Sequence, residues 1–532
     1  MNRIVNLCIS AFTVLIISES CTSHYPGTVI AGEGIAVTNT THGNVAGYID
    51  DGIYTFKGIP YAKAERFLPP EDPDHWEGIL PTRQYGPSCP QGIYYKWEGQ
   101  SDNEFAFRYV KNTFDEDNLF TLNVFSPSLD KGSKKPVFVW LHGGGFSSGS
   151  SIDLECYKGY SLAKKGDIVV VTINHRLNCL GFTDLSAFGE KYKYSANAGV
   201  MDMVKALEWI RDNISYFGGD PSSVTIAGQS GGGGKVQTLL VTPSAKGLFS
   251  RAIVQSGPYG AGHMKDKESS REMGRMIAME LGLSADNIDD IQTVPYDDLL
   301  RASRKVTSAL KTGGDGPTCS DPTLPYDFFD ENAKSLYSDI PLLIGSTFNE
   351  LGHKLHYGEE IDEQKALSFL TERFGDKAEE FMEEFPNAYP DGTLNDMVSI
   401  DINTRKSTIV VADKKHQLSN APVFMYMFTW KSPILDGIYG SCHNMDLPFM
   451  FNNISLQREL TGSGKDAYRL ADKMSGAWIA FVKSGNPNSK GLPSWPEYNP
   501  EERPLMIFDN KCKVMKNHDR HLLDIAPEKG MF

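Results

Sequence analysis

The stretch Val224-Thr-Ile-Ala-Gly-Gln-Ser-Gly-Gly-Gly-Gly-Lys235 decides the fold of this chain. Its first four residues form a short apolar and β-branched run, which is typical of a buried strand. The next residues place Ser230 in a G-x-S-x-G motif, and a helical pattern from Lys235 to Leu240 follows the glycines. Because glycines let strand and helix approach without a Cβ clash, this order predicts a sharp turn that exposes the serine hydroxyl. Standing alone, the motif also fits a glycine-rich turn without chemistry.

Two further apolar runs lie upstream of this stretch. Pro136–Leu141 and Asp167–Ile173 predict strands that are buried on both faces. Apolar residues recur at helical spacing from Val200 to Ile210, which predicts a βαβ unit ending at the serine motif. This alternation indicates an α/β fold with a large, mostly parallel central sheet flanked by helices. The charged, helix-patterned segment 265–415 predicts helical cap-like insertions.

A second glycine run follows the first of these strands, in His142-Gly-Gly-Gly-Phe146. Backbone N–H groups in such a run can all point at one oxygen, because no side chains intervene. We therefore assign Gly144 and Gly145, together with the N–H of Gly231, as donors of an oxyanion hole. A flexible turn and a phosphate-binding loop are the alternatives, but the G-K-[ST] and GxGxxG orders of phosphate loops are absent from the run. Two glycine motifs in this order favour acyl transfer.

Composition predicts a compact globular protein and excludes several classes. The 532 residues are 40% hydrophobic and 22% charged, which does not fit a mostly disordered or fibrous chain. The formal net charge of -15 argues against nucleic acid as a partner, since nucleic-acid-binding proteins usually carry a basic surface. A local basic pocket for an acidic substrate is compatible with this charge.

The N-terminal residues predict an export signal over 1–23. Arg3 precedes an apolar run from Leu7 to Ile17, and small residues then lead to Cys21. The run is too short to span a bilayer comfortably, so we expect a periplasmic, cell-surface or extracellular protein. Cys21 stands where a bacterial lipoprotein signal places its lipidated cysteine, and this pattern is compatible with both a tethered and an unanchored protein. Residues 24–532 are expected to form a single catalytic domain.

Six cysteines remain after the predicted signal and Cys21. In an exported protein these thiols could form disulfides, and their spacing leaves the pairing open. They have neither CxxC nor Cys/His metal spacing, so the sequence does not support a zinc site. The six are Cys89, Cys156, Cys179, Cys319, Cys442 and Cys512.

Several further blocks occur in the order found in one enzyme family. They are Gly58-Ile-Pro-Tyr-Ala62 with Arg66-Phe67, Asn174-His-Arg-Leu177 with Gly181-Phe182, Phe217-Gly-Gly-Asp-Pro221, Trp478, Gly485-Asn-Pro487 and Trp495-Pro496. Together with the two glycine motifs, these blocks resemble the type-B carboxylesterase/lipase family, which also contains the cholinesterases. The resemblance covers nearly all of the chain after the signal. It implies an α/β-hydrolase fold and a serine carboxylic-ester hydrolase.

The resemblance also implies the two partners of Ser230 in a catalytic triad. Glu350 matches the family's acid in a Gly-x-x-x-(Asp/Asn)-Glu context, and His443 matches its base in Gly-x-x-His before an acidic residue. The chain order of Ser230, Glu350 and His443 is that of α/β-hydrolases. His142 is the rival for the base, but it lies in the glycine loop, where donors rather than a base are needed.

The sequence departs from the family pattern near these residues. Gln229 and Gly231 replace the common Glu and Ala beside the serine, which keeps a small neighbour and the Gly231 N–H. Leu351 stands where the family usually has glycine after the acid. Leu119 replaces the second cysteine of a family disulfide loop, so we expect Cys89 not to close that loop.

These assignments predict ester hydrolysis through an acyl-enzyme, with neither a metal nor an organic cofactor required. The partner is then a small-molecule ester, and small aliphatic or aryl esters, acylated plant carbohydrates and xenobiotic esters are all candidates. An amidase, a lipase or a thioesterase would use the same residues. A non-catalytic binding or adhesion protein on this fold is the alternative outside enzymes, although such proteins typically lack triad residues. Phe146 is a candidate for the acyl pocket or for a core aromatic, and the sequence does not indicate an oligomeric state.

Overall fold

The structure is a computed structural model that describes residues 28–92, 102–107, 113–311, 314–352 and 360–526. The described strands are β1 (Val29–Ile30), β2 (Val37–Thr40), β3 (Gly43–Ala46), β4 (Tyr48–Asp50), β5 (Ile53–Pro60), β6 (Ile79–Pro81), β7 (Thr121–Ser126), β8 (Lys135–Leu141), β9 (Val169–Ile173), β10 (Gly219–Gln229), β11 (Arg251–Gln255), β12 (Leu342–Thr347), β13 (Val423–Phe428), β14 (Pro504–Phe508) and β15 (Lys513–Lys516).

The described α-helices alternate with these strands. They are α1 (Asp102–Phe107), α2 (Tyr160–Gly166), α3 (Asn178–Phe182), α4 (Ala198–Asn213), α5 (Gly231–Leu240), α6 (Lys267–Glu280), α7 (Tyr296–Leu310), α8 (Lys334–Tyr337), α9 (Glu363–Phe374), α10 (Ala378–Ala388), α11 (Leu394–Ser399), α12 (Asn403–Leu418), α13 (Leu447–Met450), α14 (Arg458–Thr461), α15 (Lys465–Ser484) and α16 (Arg520–Ile525). Short 3-10 helices fill several of the connections.

Twelve of the described strands form one sheet, in the order β1-β4-β5-β7-β9-β8-β10-β11-β12-β13-β14-β15. Neighbours from β9 to β14 in this order run parallel to each other, and the strands at both edges pair antiparallel. β2, β3 and β6 form a separate three-stranded sheet. The large, mostly parallel sheet predicted from the alternating runs is confirmed.

The strand β8 shows how its sequence produces the centre of the sheet. Val137, Val139 and Leu141 belong to one hydrophobic core, and Phe138 and Trp140 belong to the other. This alternation follows from the two-residue period of strand side chains when helices cover both faces. α4 and α5 contribute to the first core, while α2, α13 and α15 contribute to the second. The predicted burial of this strand on both faces is confirmed.

The predicted βαβ unit is formed by β9, α4 and β10, with a third strand inside it. β9 and β10 both pair in parallel with β8, which lies between them. The helix therefore crosses over β8 instead of joining neighbouring strands. Val200, Val204, Leu207 and Ile210 are buried along one face of α4, at the spacing that the sequence predicts.

The segment 265–415 contains the predicted helices but is not one insertion. Helices α6 to α12 begin in this segment, between Lys267 and Leu418. The strand β12 divides them, and it pairs with β11 on one side and β13 on the other. All six residues of β12 are buried, so this part of the segment belongs to the central sheet. The bounds expected for the helical insertions are thereby corrected, because the segment 265–415 includes a strand of the sheet.

The cysteine Cys89 is a buried thiol outside any disulfide, as expected from Leu119, which is itself buried. The Cys89 sulfur lies 3.2 Å from the Leu177 nitrogen, which donates a weak hydrogen bond to it. Cys156, Cys179, Cys319 and Cys512 are likewise outside disulfides. The disulfide framework that the sequence left open therefore does not involve these five residues.

The described residues were also compared with the requirements of a membrane-spanning helix and of a metal site. Within them, every helix is too short or too polar to cross a membrane. The same ranges contain no group of three or more His, Cys, Asp or Glu side chains that could hold a metal ion. The predicted export signal and Cys21 lie outside the described residues.

Candidate active site

Ser230 occupies the turn between β10 and α5. Its backbone has φ 57° and ψ −130°, a conformation that costs an L-residue on the order of 1–3 kcal/mol. Two hydrogen bonds hold the turn: Ser230 N–H donates to the Gln255 carbonyl at 2.8 Å, and Gly234 N–H donates to the Ser230 carbonyl at 3.2 Å. The strained turn leaves the serine side chain at the wall of a large cavity, where its hydroxyl can meet a substrate.

Glycines surround this turn because the chain passes too close for side chains. A Cβ on Gly228 would lie 2.3 Å from backbone atoms of Gly232, and a Cβ on Gly257 would lie 1.8 Å from the Ser230 carbonyl oxygen. Such distances are far inside van der Waals contact. Gly228 of the motif is therefore required by the approach of strand and helix, as the sequence predicts, and Gly257 is required by its contact with the same turn.

The loop after β8 brings Gly144 and Gly145 beside Gly231. A Cβ on Gly231 would lie 2.3 Å from the Gly145 nitrogen, and a Cβ on Gly143 would contact the Ser230 Cβ at 3.5 Å. Gly144 and Gly145 have φ of 84° and 62°, in the left-handed region that favours glycine. The described residues offer no acceptor to the N–H groups of Gly144, Gly145 or Gly231, so all three can donate to a substrate oxygen.

Glu350 and His443 are joined by a short hydrogen bond between Glu350 Oε2 and His443 Nδ1. The second carboxylate oxygen of Glu350 accepts the Thr347 N–H at 2.8 Å, and the His443 N–H donates to the Glu350 carbonyl at 2.9 Å. Glu350 is only 2% exposed, so water competes little for its carboxylate. With Nδ1 donating to Glu350, the imidazole Nε2 is left as the basic nitrogen.

The departure at Leu351 leaves this acid in place. Glu350 itself has φ 43°, whereas Leu351 is not among the residues with positive φ. A glycine is therefore not required after the acid in this chain. The Leu351 side chain is 44% exposed and lies in the wall of the cavity.

Three carboxylates set the electrostatics of His443. Burial by itself lowers the pKa of this imidazole, but the charge and hydrogen bond of Glu350, followed by the charges of Asp446 and Asp401, raise it above 6.5. Asp446 accepts the Tyr426 hydroxyl at 2.8 Å and the Gln255 amide at 2.9 Å. Burial raises the pKa of Asp446 and of Asp401 to about 6 each. The site therefore favours a protonated imidazole more than a solvated histidine does.

Gln229 occupies the space beside the imidazole. Its Nε2 lies 3.1 Å from His443 Nε2 and 3.3 Å from His443 Nδ1, so the amide is close to both ring nitrogens. Among the described residues, no hydrogen bond joins the Ser230 hydroxyl to His443, although both side chains line the same cavity. Catalytic hydrogen bonds are often long or absent before substrate binds. The structure thus brings Glu350 and His443 into contact and places Ser230 in the wall of the same cavity without a hydrogen bond to His443.

The cavity that contains these residues has a volume of about 1310 Å³. Helix α12 and the chain around α16 form much of its wall. The wall combines charged or polar residues with aliphatic ones; they include Asp401, Asn403, Lys406, Asp413, Arg503, Leu351, Ile409 and Val410. A substrate with both apolar and hydrogen-bonding parts therefore fits this wall better than a purely apolar one.

Two residues that the sequence left with alternative roles do not line this cavity. His142 is buried, its Nδ1 lies 2.9 Å from the Gly143 carbonyl oxygen, and its ring stacks on His175 at 5.1 Å. Burial lowers the pKa of His142 well below 6.5, so it stays neutral and away from the serine. Phe146 packs edge-to-face on Phe182 at 5.3 Å, which makes it a core aromatic.

Sequence reasoning missed part of the surroundings of His443. Asp401 lies in the cavity wall and acts on His443, yet it is distant in sequence and has no motif of its own. Asp446 was visible only as the acidic residue that follows the histidine motif. Such proximity is created by the fold, because the loops after β12 and β13 meet at one edge of the sheet.

Comparison with known proteins supports one family. The Carboxylesterase family matches residues 35–524. Para-nitrobenzyl esterase of Bacillus subtilis (strain 168) is 34% identical over 508 residues, which cover 93% of this chain and 99% of that protein. Phenmedipham hydrolase of Pseudarthrobacter oxydans is 32% identical over 498 residues, which cover 89% of this chain and 95% of that protein.

A solved structure gives the same result. An esterase from Clostridium hathewayi, which can hydrolyse aliphatic aromatic polyesters, matches with a TM-score of 0.85 and 36% sequence identity. The match covers 94% of this chain and 99% of that chain. Sequence, fold and site therefore lead to one conclusion: this chain belongs to the carboxylesterase family and is a serine hydrolase that acts on carboxylic esters.

Proposed function

We propose that this carboxylesterase acts through a triad of Ser230, His443 and Glu350 and an oxyanion hole of Gly144, Gly145 and Gly231. The observation that carries this proposal is the Glu350–His443 hydrogen bond in the wall of the cavity that also holds Ser230. The three free N–H groups beside the serine supply the electrostatic half of the site. We expect the Ser230 hydroxyl and His443 Nε2 to come within hydrogen-bond distance when substrate is bound.

In the proposed reaction, His443 accepts the Ser230 proton as the serine oxygen attacks the ester carbonyl. The three glycine N–H groups stabilise the resulting oxyanion, and Glu350 stabilises the imidazolium. The imidazolium then protonates the departing alcohol, which leaves an acyl group on Ser230. Water deprotonated by His443 attacks this acyl-enzyme, and the proton returns to Ser230 as the carboxylic acid leaves.

We propose aryl and alkyl esters of short acids as the substrate class. The mixed polar and aliphatic wall of the cavity supports substrates of moderate polarity, and related proteins act on para-nitrobenzyl esters and on aliphatic aromatic polyesters, as their names state. Hydrolysis of amides, thioesters or long-chain lipids would use the same triad, so relative rates on matched substrates distinguish these activities.

The test is the turnover of p-nitrophenyl acetate, butyrate and decanoate, and of the matched p-nitroanilides, by wild type, Ser230→Ala and Ser222→Ala. Ser222 is the matched control, since it lies in β10, the strand that leads to Ser230, is exposed, and its hydroxyl donates to Asp220 two residues earlier. We expect Ser230→Ala to lose turnover by about 10³-fold or more and Ser222→Ala to retain it. Full turnover in Ser230→Ala would reject this serine as the nucleophile. Faster hydrolysis of matched p-nitroanilides or decanoate would reassign the enzyme as an amidase or a lipase.

We further propose that residues 1–23 direct export and that 24–532 form one catalytic domain, with Cys21 as a candidate lipid anchor. The apolar run from Leu7 to Ile17 after Arg3 supports export. Metabolic labelling with a palmitate analogue, in wild type and Cys21→Ala, tests the anchor. Loss of label in the variant supports lipidation, whereas an unacylated N-terminus by intact mass of the wild type would reject it.

A further inference from the structure

Lys235 is a buried cation that the proposed mechanism does not use. It lies in α5, in the second turn after Ser230, and has no exposed surface. Its Nζ donates to the carbonyl of His142 at 2.8 Å and lies 3.4 Å from the carbonyl of Gly143. A buried ammonium is costly unless it is paired, so both its position and its partners need a reason.

These partners belong to the peptides of the oxyanion loop. The Gly143 carbonyl shares its peptide unit with the N–H of Gly144, which is one of the three proposed oxyanion donors. A positive charge on the carbonyl end of a peptide polarises the N–H at its other end, because hydrogen bonds in a chain strengthen one another. The ammonium therefore acts on the oxyanion through the backbone while also fixing the position of the loop.

We propose that Lys235 is a positioning residue of the oxyanion hole, whose ammonium holds the His142 and Gly143 carbonyls and polarises the Gly144 N–H toward the substrate oxygen. This inference rests on the proposed function of the site. The helix that follows Ser230 thereby also sets the geometry of the proposed donors that face it.

Several other titratable groups near Lys235 are neutral or paired, while the charge of Asp153 acts on the ammonium. His142 after β8 and His175 after β9 are buried, and burial followed by the charge of Lys235 lowers the pKa of both well below 6.5, so both are neutral. Tyr259 after β11 reaches the Thr238 hydroxyl on α5, and burial raises its pKa far above neutral pH. On α4, Asp202 is bound to the Arg176 guanidinium.

The Lys235 ammonium loses its proton within the pH range of an ordinary assay. Burial lowers the pKa of Lys235 to about 7, while the charge of Asp153 acts in the opposite direction. The Phe146 ring lies 5.8 Å from Nζ and adds a weak favourable contact for the cation. An oxyanion that forms at the Gly144 N–H stabilises the protonated form of Lys235. The positive charge of Lys235 therefore stabilises the transition state more than it stabilises the bound substrate.

The experiment compares wild type with Lys235→Met, Lys235→Gln and the matched control Lys415→Met. Lys415 is also fully buried, donates to the Tyr337 carbonyl at 2.8 Å, and has its pKa lowered by burial to about 7, but it is not in the cavity wall. Each protein is assayed for kcat and KM on p-nitrophenyl butyrate from pH 6 to 9.5 and for inhibition by an aryl trifluoromethyl ketone. Labelling of Ser230 by a fluorophosphonate shows separately whether the proposed function holds.

We expect both Lys235 variants to lower kcat at pH 6.5 by about 10- to 100-fold with KM changed less than about twofold, somewhat less than the loss of a whole oxyanion donor. The ketone should bind more weakly by the same factor. The ratio of wild-type to variant kcat should shrink toward pH 9.5, as the wild-type amine loses its proton. Lys415→Met should keep kcat within about twofold.

The inference is overturned if a folded Lys235 variant keeps kcat within twofold, or if its loss is the same at every pH. Failure of both variants to fold while Lys415→Met folds would also overturn it, since Lys235 would then have a structural role only. If Ser230 is labelled in wild type while these results occur, only the role of Lys235 fails. If Ser230 is not labelled, the proposed function fails with it.

Discussion

At the scale of single residues, the two loops that carry Ser230 and Glu350 share a strained backbone. Ser230 has φ 57° and Glu350 has φ 43°, where L-residues are uncommon. Each conformation is held by hydrogen bonds to neighbouring strands or turns, such as the Ser230 N–H to Gln255 and the Glu350 N–H to Thr347 Oγ1 at 3.2 Å. The strain aims both side chains into one cavity, which a relaxed turn would not do.

The carboxylate of Glu350 provides the first residue-scale prediction. In Glu350→Gln, the amide can no longer stabilise the imidazolium and can favour the wrong tautomer of His443. We expect kcat to fall by about 10³- to 10⁴-fold with a small change in thermal unfolding. Glu363→Gln, at an exposed carboxylate that begins α9, is the control and should behave as wild type. Activity within tenfold of wild type would remove Glu350 from the triad.

The raised pKa of His443 provides the second prediction at the residue scale. Only the neutral imidazole accepts the serine proton, and its pKa lies above 6.5 despite burial, because of Glu350 first and then Asp446 and Asp401. The kcat/KM profile of the free enzyme should therefore rise with pH around a midpoint above 6.5. Asp401→Asn should move that midpoint to lower pH, whereas Asp391→Asn, at an exposed site, should not. A midpoint below 6.5 in the wild type would contradict this account.

How far single residues could be predicted depends on whether their chemistry is local in sequence. Ser230 and the glycines proposed as oxyanion donors lie in contiguous motifs, so strand, turn and helix signals locate them directly. Glu350 and His443 were identified only through resemblance to a family, because nothing within each segment relates it to the serine. The position of Asp401 and the contact of Lys235 with the glycine loop after β8 could not be predicted from the sequence, since packing alone brings these groups together.

At the scale of elements, close packing of strand, turn and helix determines the position of Ser230, the proposed nucleophile. Gly257 follows β11, and a Cβ there would lie 1.8 Å from the Ser230 carbonyl oxygen. Its backbone does not have positive φ, so the restriction is contact rather than conformation. The sequence motif does not include this glycine, which lies 27 positions after the serine and is brought to it by the pairing of β10 with β11.

A pair of glycine substitutions tests this packing. Gly257→Ala should displace the turn and lower kcat by more than about tenfold, because a misplaced nucleophile loses its near-attack geometry. Gly476→Ala, inside α15 with only the Ser489 Oγ at 3.8 Å, should leave kcat unchanged and stabilise the protein by up to about 1 kcal/mol. Kinetics and thermal unfolding of both variants measure these effects. Equal kinetics in the two variants would show that the turn does not depend on Gly257.

Strands and helices could be predicted from the sequence where a segment is apolar along its whole length or apolar at helical spacing. The runs at β8 and β9 gave strands because they are apolar along their whole length, and the period of α4 gave a helix. The position of β8 between β9 and β10 was not predictable, since chain order does not specify which strands become neighbours. The strand β12 was hidden within a segment whose average composition is helical and charged.

At the scale of the whole molecule, a buried ion pair joins α12 to the chain just before α16. Arg405 Nε donates to Asp519 Oδ2 at 2.7 Å, and both side chains are 3% exposed. α12 also forms one wall of the cavity that contains Ser230 and His443, so the pair connects the C-terminal part of the described chain to this cavity. The desolvation of two charges makes such a pair sensitive to the loss of either partner.

Removing one partner of the Arg405–Asp519 pair should therefore destabilise the folded protein. Arg405→Met leaves the Asp519 carboxylate buried without its cation, and we expect a loss of about 3–5 kcal/mol in the free energy of unfolding. Lys516→Ala breaks an exposed pair with Glu502, in which both side chains are about half exposed, and should cost at most about 1 kcal/mol. Urea unfolding followed by circular dichroism compares them. Similar losses in the two variants would show that burial of the pair contributes nothing.

The proposed reaction requires that one serine, Ser230, becomes acylated. The most direct measurement is fluorophosphonate labelling of wild type, Ser230→Ala and Ser256→Ala, read by intact and peptide mass, because Ser256 is another serine in the wall of the same cavity. We expect one adduct on Ser230, which is kept in Ser256→Ala and lost in Ser230→Ala. An adduct that persists in Ser230→Ala, or that maps to Ser256 in the wild type, would contradict it.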